Sequence, residues 1–162
     1  MGAVKVSSRA HYGLRAMTDL ARAHGRGPVA LSEVARAEHL SQGYLEQLMA
    51  SLRRAGLVEG TRGAAGGYRL ARSPAEITVG QVYRALEGPI APVECAEDGY
   101  VPGTCDQEPT CASRGIWQRV RASIEQVLDS TTLADLCHEP QAAFISLDQI
   151  ERSSRKAMCT TK

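Results

Sequence analysis

The stretch from Leu31 to Leu70 limits the fold more than any other part of this chain. It opens on Leu31-Ser32-Glu33-Val34-Ala35-Arg36-Ala37, where Leu31, Val34 and Ala35 fall on one helical face. Ser32 suits an N-cap, Glu33 suits a first turn, and the helix is expected to end near His39 and Leu40. Ser41 reads as a second cap. Leu45, Leu48, Leu52 and Ala55 then recur on one face, and Gly56 supplies a stop. Leu57-Val58-Glu59-Gly60 and Gly67-Tyr68-Arg69-Leu70 follow as two short strands around a glycine-rich turn containing Arg62. Short helix, tight turn, longer helix and basic hairpin make a winged helix-turn-helix. The alternative is a small α+β domain whose hairpin only covers the core.

The flanks extend this unit. Ala10, Leu14, Met17 and Ala21 predict a helix over 8–24, stopped by Gly25, Gly27 and Pro28. Ile77 to Leu86 predicts another, with Thr78 as its cap, packed on the first and ended by Gly88, Pro89 and Pro92. Residues 94–110 read as a loop with five acidic residues. A long amphipathic helix is expected over 112–128, with Trp117, Val120, Ile124 and Val127 as its apolar stripe. That stripe suits either a core face or an antiparallel partner subunit. Thr131 to Leu136 suggests a short last helix, and the chain beyond Ser153 is a polar tail. The fold class is therefore mainly α with a small β wing.

Charge separates the halves. Residues 1–72 carry 11 Lys or Arg against 5 acids, and residues 73–162 carry 8 against 13. A net +6 beside a net −5 fits a polyanion-binding module joined to something else. No run of 18 apolar residues and no apolar N-terminal stretch occur, so a cytoplasmic protein without a membrane span is expected.

A recognition helix places its N-terminal residues nearest the bases in the major groove. Here those are Ser41, Gln42, Tyr44 and Glu46. Gln42 suits adenine and Glu46 suits the cytosine amino group, while Tyr44 is either a phosphate contact or a packing residue. Arg53 and Arg54, near the helix end, suit phosphates, or form a solvated charged face. Arg62 at the wing suits a narrow minor groove. Gly63, Gly66 and Gly67 allow a tight turn and close approach to DNA, and serve equally as plain hairpin glycines. A two-fold dimer on double-stranded operator DNA doubles such contacts.

Five cysteines in a chain without an export signal argue against disulfide stapling. Cys95, Cys105 and Cys111 are separated by nine and five residues. Three soft thiolates on one loop suit an iron–sulfur cluster, zinc or copper(I), but are one ligand short of a closed tetrahedral set. Redox thiols are the metal-free alternative, and an ordinary structural role is the third. Cys137 and Cys159 stand apart.

Tyr12-Gly13-Leu14-Arg15-Ala16-Met17, Ser41 through Leu48, the Arg62–Tyr68 wing and the three loop cysteines occur in an order that resembles the IscR/NsrR family of iron–sulfur-dependent transcriptional regulators. The resemblance spans residues 5–138. It implies a winged-helix dimer crossed through the 112–128 helix, with Glu46 and Arg62 as base-contacting residues. It implies repressor-type regulation and a 2Fe–2S or 4Fe–4S cluster held by Cys95, Cys105 and Cys111. It divides the chain into a DNA-binding domain (1–88), a cluster loop (89–111), a dimerisation helix with a short terminal helix (112–138) and a polar tail (139–162). Two departures stand out. The first cysteine interval is about four residues longer than usual, and Arg114 stands where one branch has a ligating histidine. Arginine stays protonated and is no normal ligand. The other branch completes its site with a residue early in the first helix of the partner subunit, and the matching position here is His11. Mixed cysteine and nitrogen ligation favours the 2Fe–2S form. A cluster-free regulator using the same loop as redox thiols or a zinc site remains the alternative.

Overall fold

The computed structural model describes residues 6–63 and 66–138. Helix α1 (Ser8–Arg22) begins where the Ser7 side chain accepts a hydrogen bond from the Ala10 amide at 3.1 Å. Its inner face, with Ala16, Met17 and Leu20, is buried. Helix α2 (Leu31–Ala37) starts earlier than a Ser32 cap would allow. Val29 is held in extended pairing with Tyr68 by two 2.8 Å backbone bonds, so the helix begins directly after Ala30. Ser32 therefore lies inside the first turn and caps nothing.

The helix-turn-helix bend runs through His39, whose φ of 54° is left-handed. Helix α3 (Gln42–Arg54) follows, with Ser41 capping it as its sequence suggests. Leu45, Leu48, Met49 and Leu52 are fully buried. Ala55 does not extend this face: the helix ends one residue earlier, and Ala55 is exposed at its C-terminus. Strands β1 (Val58–Thr61) and β2 (Gly67–Leu70) pair antiparallel, from Val58 opposite Leu70 to Thr61 opposite Gly67.

Helix α4 (Val79–Glu87) starts with a capping box between Thr78 and Gln81. It lies against α1 so closely that a side chain at Gly13 would strike Leu86. Helix α5 (Arg114–Ser130) begins two residues later than its sequence pattern suggests and packs on α4 and the turn around Cys95. None of its residues is buried. Helix α6 (Leu133–His138) returns to the first core, where Leu133 is fully buried, so by packing it joins α1 rather than α5. The tail over 139–162, Cys159 included, lies outside the described residues.

Candidate nucleic-acid interface and cysteine loop

Helix α3 and the wing enclose an open cleft of 520 Å³. Gln42, Glu46 and Arg53 line it from α3, and Thr61, Arg62 and Tyr68 line it from the wing. Three of these side chains are those expected to meet DNA bases, and the fold brings them to one surface. The Gln42 amide donates to the Glu46 carboxylate at 3.0 Å, one helical turn away, which holds both side chains along the cleft. The Ser41 hydroxyl already accepts from the Tyr44 amide at 3.3 Å, so it positions the helix start. Tyr44 is half-buried, with its ring edge-on to Tyr12 at 6.4 Å, which favours packing for that residue.

Arg62 is exposed at the base of the wing. Gly63 beside it has φ of 109°, a conformation that side chains disfavour. Gly67 is needed for space, because a Cβ there would collide with the Val29 carbonyl. The wing is thus pressed against the segment that leads into α2.

The three loop thiols are placed differently. Cys95 and Cys111 are half-buried and Cys105 is exposed, and all three are free thiols. Among the described residues, no three His, Cys, Asp or Glu side chains converge on a point that could hold a metal ion. His11 stands exposed on α1 with its ring edge-on to Tyr12 at 5.1 Å. Cys111 lies two residues before the Ser113 N-cap of α5. The Ser113 hydroxyl at 3.3 Å, then the Ser113 and Arg114 amides and the Arg114 charge, hold its thiol below the usual range.

What holds the loop is a set of polar side chains to which the sequence assigned no such role. The Glu108 carboxylate accepts from the Gly103 amide at 2.6 Å and the Tyr100 hydroxyl at 3.2 Å, and pairs with Arg114. Arg114 also sits over the Tyr100 ring at 5.0 Å. Nearer Cys95, Arg121 donates to the Ala96 carbonyl at 2.6 Å and pairs with Asp98. Arg121 meets Glu125 at 3.1 Å, Glu125 meets Arg84 of α4 at 3.6 Å, and Arg84 grips Asp129 with two bonds of 2.6 and 2.8 Å. Gly80 makes room for this grip, since a Cβ there would strike the Asp129 carboxylate. The spacing of Arg121, Glu125 and Asp129 at successive helical turns was visible in the sequence. Their link to Arg84, 45 residues from Asp129, was not.

Comparison with known proteins accords with this geometry. The Rrf2 family, described as an iron-dependent transcriptional regulator, matches residues 6–139. The transcriptional regulator CymR of Bacillus subtilis is 49% identical over 133 residues, covering 82% of this chain and 89% of CymR. The structure of CymR, the global cysteine regulator of B. subtilis, superposes with a TM-score of 0.69 at 45% identity, over 83% of this chain and 97% of that one. IscR of T. potens superposes with a TM-score of 0.66 at 39% identity, over 99% of this chain and 95% of that one. These relatives are regulators, not enzymes, and the shared unit is the winged helix described above. The chain belongs to the Rrf2 family of DNA-binding transcriptional regulators.

Proposed function

We propose that this chain is a cytoplasmic, homodimeric repressor whose operator affinity follows the state of Cys95, Cys105 and Cys111, with an iron–sulfur cluster as the group these thiols hold. One observation carries the reading. The cysteine loop is fastened to α5 by Arg114 and Arg121, and Arg121 continues through Glu125 and Arg84 to α4. Helix α4 packs on α1 and α3, so whatever moves the loop bears on the DNA-reading unit.

The donor chemistry fits such a cluster: three thiols on one loop, with Cys111 held below the usual thiol range by Ser113 and Arg114. When bound, a cluster supplies a redox-active centre attached through thiolate sulfur. His11 of the partner subunit is the proposed fourth ligand. In the described geometry no three metal-ligating side chains converge, so gathering the thiols requires the loop to rearrange. Coupling between loop and operator then equals the difference in free energy of that rearrangement between DNA-competent and incompetent states.

The similarity to CymR, a global cysteine regulator, supports a second reading, a cluster-free regulator using these cysteines as redox thiols or zinc ligands. Anaerobic purification with iron and sulfide counts, on wild type and on Cys105→Ser and His11→Ala, separates the two. A brown protein with about two iron and two sulfide per subunit, lost in Cys105→Ser and spectrally altered in His11→Ala, is expected. A colourless wild type that stays colourless after reconstitution overturns the cluster and leaves the thiol reading.

A further inference from the structure

A second open cleft, of 450 Å³, lies along α3 and shares Arg53 with the α3–wing cleft. Arg9, Gln47, Ser51 and Arg54 line it as well. Its centre is Ser51, a hydroxyl buried on a helix face otherwise filled by Leu45, Leu48, Met49 and Leu52. Packing alone would place another apolar residue there. Instead the Ser51 Oγ accepts from Arg54 at 3.1 Å and from Arg9 at 3.4 Å. Two guanidinium groups from different helices are thereby held side by side at the surface.

Like charges side by side are unfavourable unless an anion answers them. Inside the chain the answer is thin. Arg9 has Glu87 at 3.8 Å and the Leu86 carbonyl at 3.4 Å. Among the described residues, Arg53 and Arg54 meet no carboxylate within ion-pair distance. The cleft is open rather than a closed pocket and continues the surface already assigned to bases, which fits a strand of polyanion better than a small enclosed ligand.

We propose that Arg9 and Arg54, spread from the Ser51 hydroxyl, bind a backbone phosphodiester of the DNA next to the α3–wing cleft. Guanidinium matches phosphate oxygens in both charge and planar geometry. Fixing the pair beforehand reduces the rotamer freedom lost on binding. The contact reads no base, so it sets register and general affinity rather than sequence choice. It rests on DNA binding by the family and is independent of the loop chemistry.

The test uses the full chain and two short duplexes, one of random sequence and one selected for tight binding to wild type. Affinity is measured by fluorescence anisotropy across a salt series. Arg9→Gln and Arg54→Gln should each weaken both duplexes by the same factor. Each should also lower the slope of log affinity against log salt by about 0.9 per subunit. Arg9→Lys should restore the slope, which a merely structural role for Arg9 would not require. Arg54→Gln leaves the Arg9 contacts to α4 intact, so its outcome is decisive. A wild-type slope in that variant, with an unchanged melting temperature, overturns the proposal.

Discussion

Helices α3 and α5 are both amphipathic, yet they end in opposite environments. Over 13 residues α3 fully buries four large apolar side chains, while α5 over 17 residues buries none. Trp117 remains 39% exposed, Ile116 48% and Val127 60%. An apolar stripe therefore states that a face needs covering but not what covers it. For α3 the cover is α1, α2, α4 and the first strand of the wing. For α5, among the described residues, α4 and the cysteine loop lie against one side, and the exposed part of the stripe would be covered by a second copy of the chain in the dimer proposed above. Fully burying a side chain of this size contributes about 1.5–3 kcal/mol, and covering the exposed part of each contributes a fraction of that, set against the entropic cost of association.

The contrast can be broken by substitution. Leu48→Ala in α3 should cost about 2–5 kcal/mol in urea unfolding, because the surrounding helices cannot collapse into the gap. A cost under about 1 kcal/mol would mean that α3 is no more central than α5. The cleft residues should behave differently from the core. Glu46→Ala and Arg62→Ala should leave the unfolding midpoint nearly unchanged. Each should cost about 1–3 kcal/mol of discrimination between selected and random duplexes. Equal losses on both duplexes would remove these residues from base reading.

The α5 stripe gives the complementary case. Val127→Ala should change the unfolding free energy of an isolated subunit by less than about 1 kcal/mol, since most of that residue is exposed within it. In sedimentation the same variant should shift the protein towards monomer. An unaltered mass would sink the pairing of subunits through this face. The smallest effect belongs to the link between the two regions. Arg84 holds the Asp129 carboxyl below its usual range, so its stabilising contribution is present at neutral pH and fades as pH falls below about 3.9. Asp129 is partly exposed, so Asp129→Asn should cost at most about 1 kcal/mol at pH 7. The difference from wild type should vanish in acid; a difference that persisted there would assign the cost to packing around Gly80.

The winged helix was legible because its signals are local. Ser41 and Thr78 cap the helices their positions suggest, and Leu45, Leu48 and Leu52 keep helical period. Ser32 failed as a cap because a distant strand residue, Tyr68, fixes Val29 and sets where α2 starts. Leu14 lies only partly buried, because the close α1–α4 contact at Gly13 takes the centre of that face. Of the proposed site residues, Gln42, Glu46, Arg53 and Arg62 come to one cleft. The three cysteines were visible as a motif, but their side-chain positions depend on Glu108, Arg114 and Arg121.

The sequence alone determined the helix and strand order, the polar and apolar faces, and the thiol donors on the loop. Spacing, capping and composition act within a few residues, so these features need no knowledge of the rest of the chain. Only the tertiary structure decided that α6 returns to the first core, that Ser51 joins Arg9 to Arg54, and that Arg84 ties α4 to α5. Each of these joins residues far apart in the chain. Which distant partners meet is set by the packing of whole helices, and side-chain pattern along one helix carries no record of it.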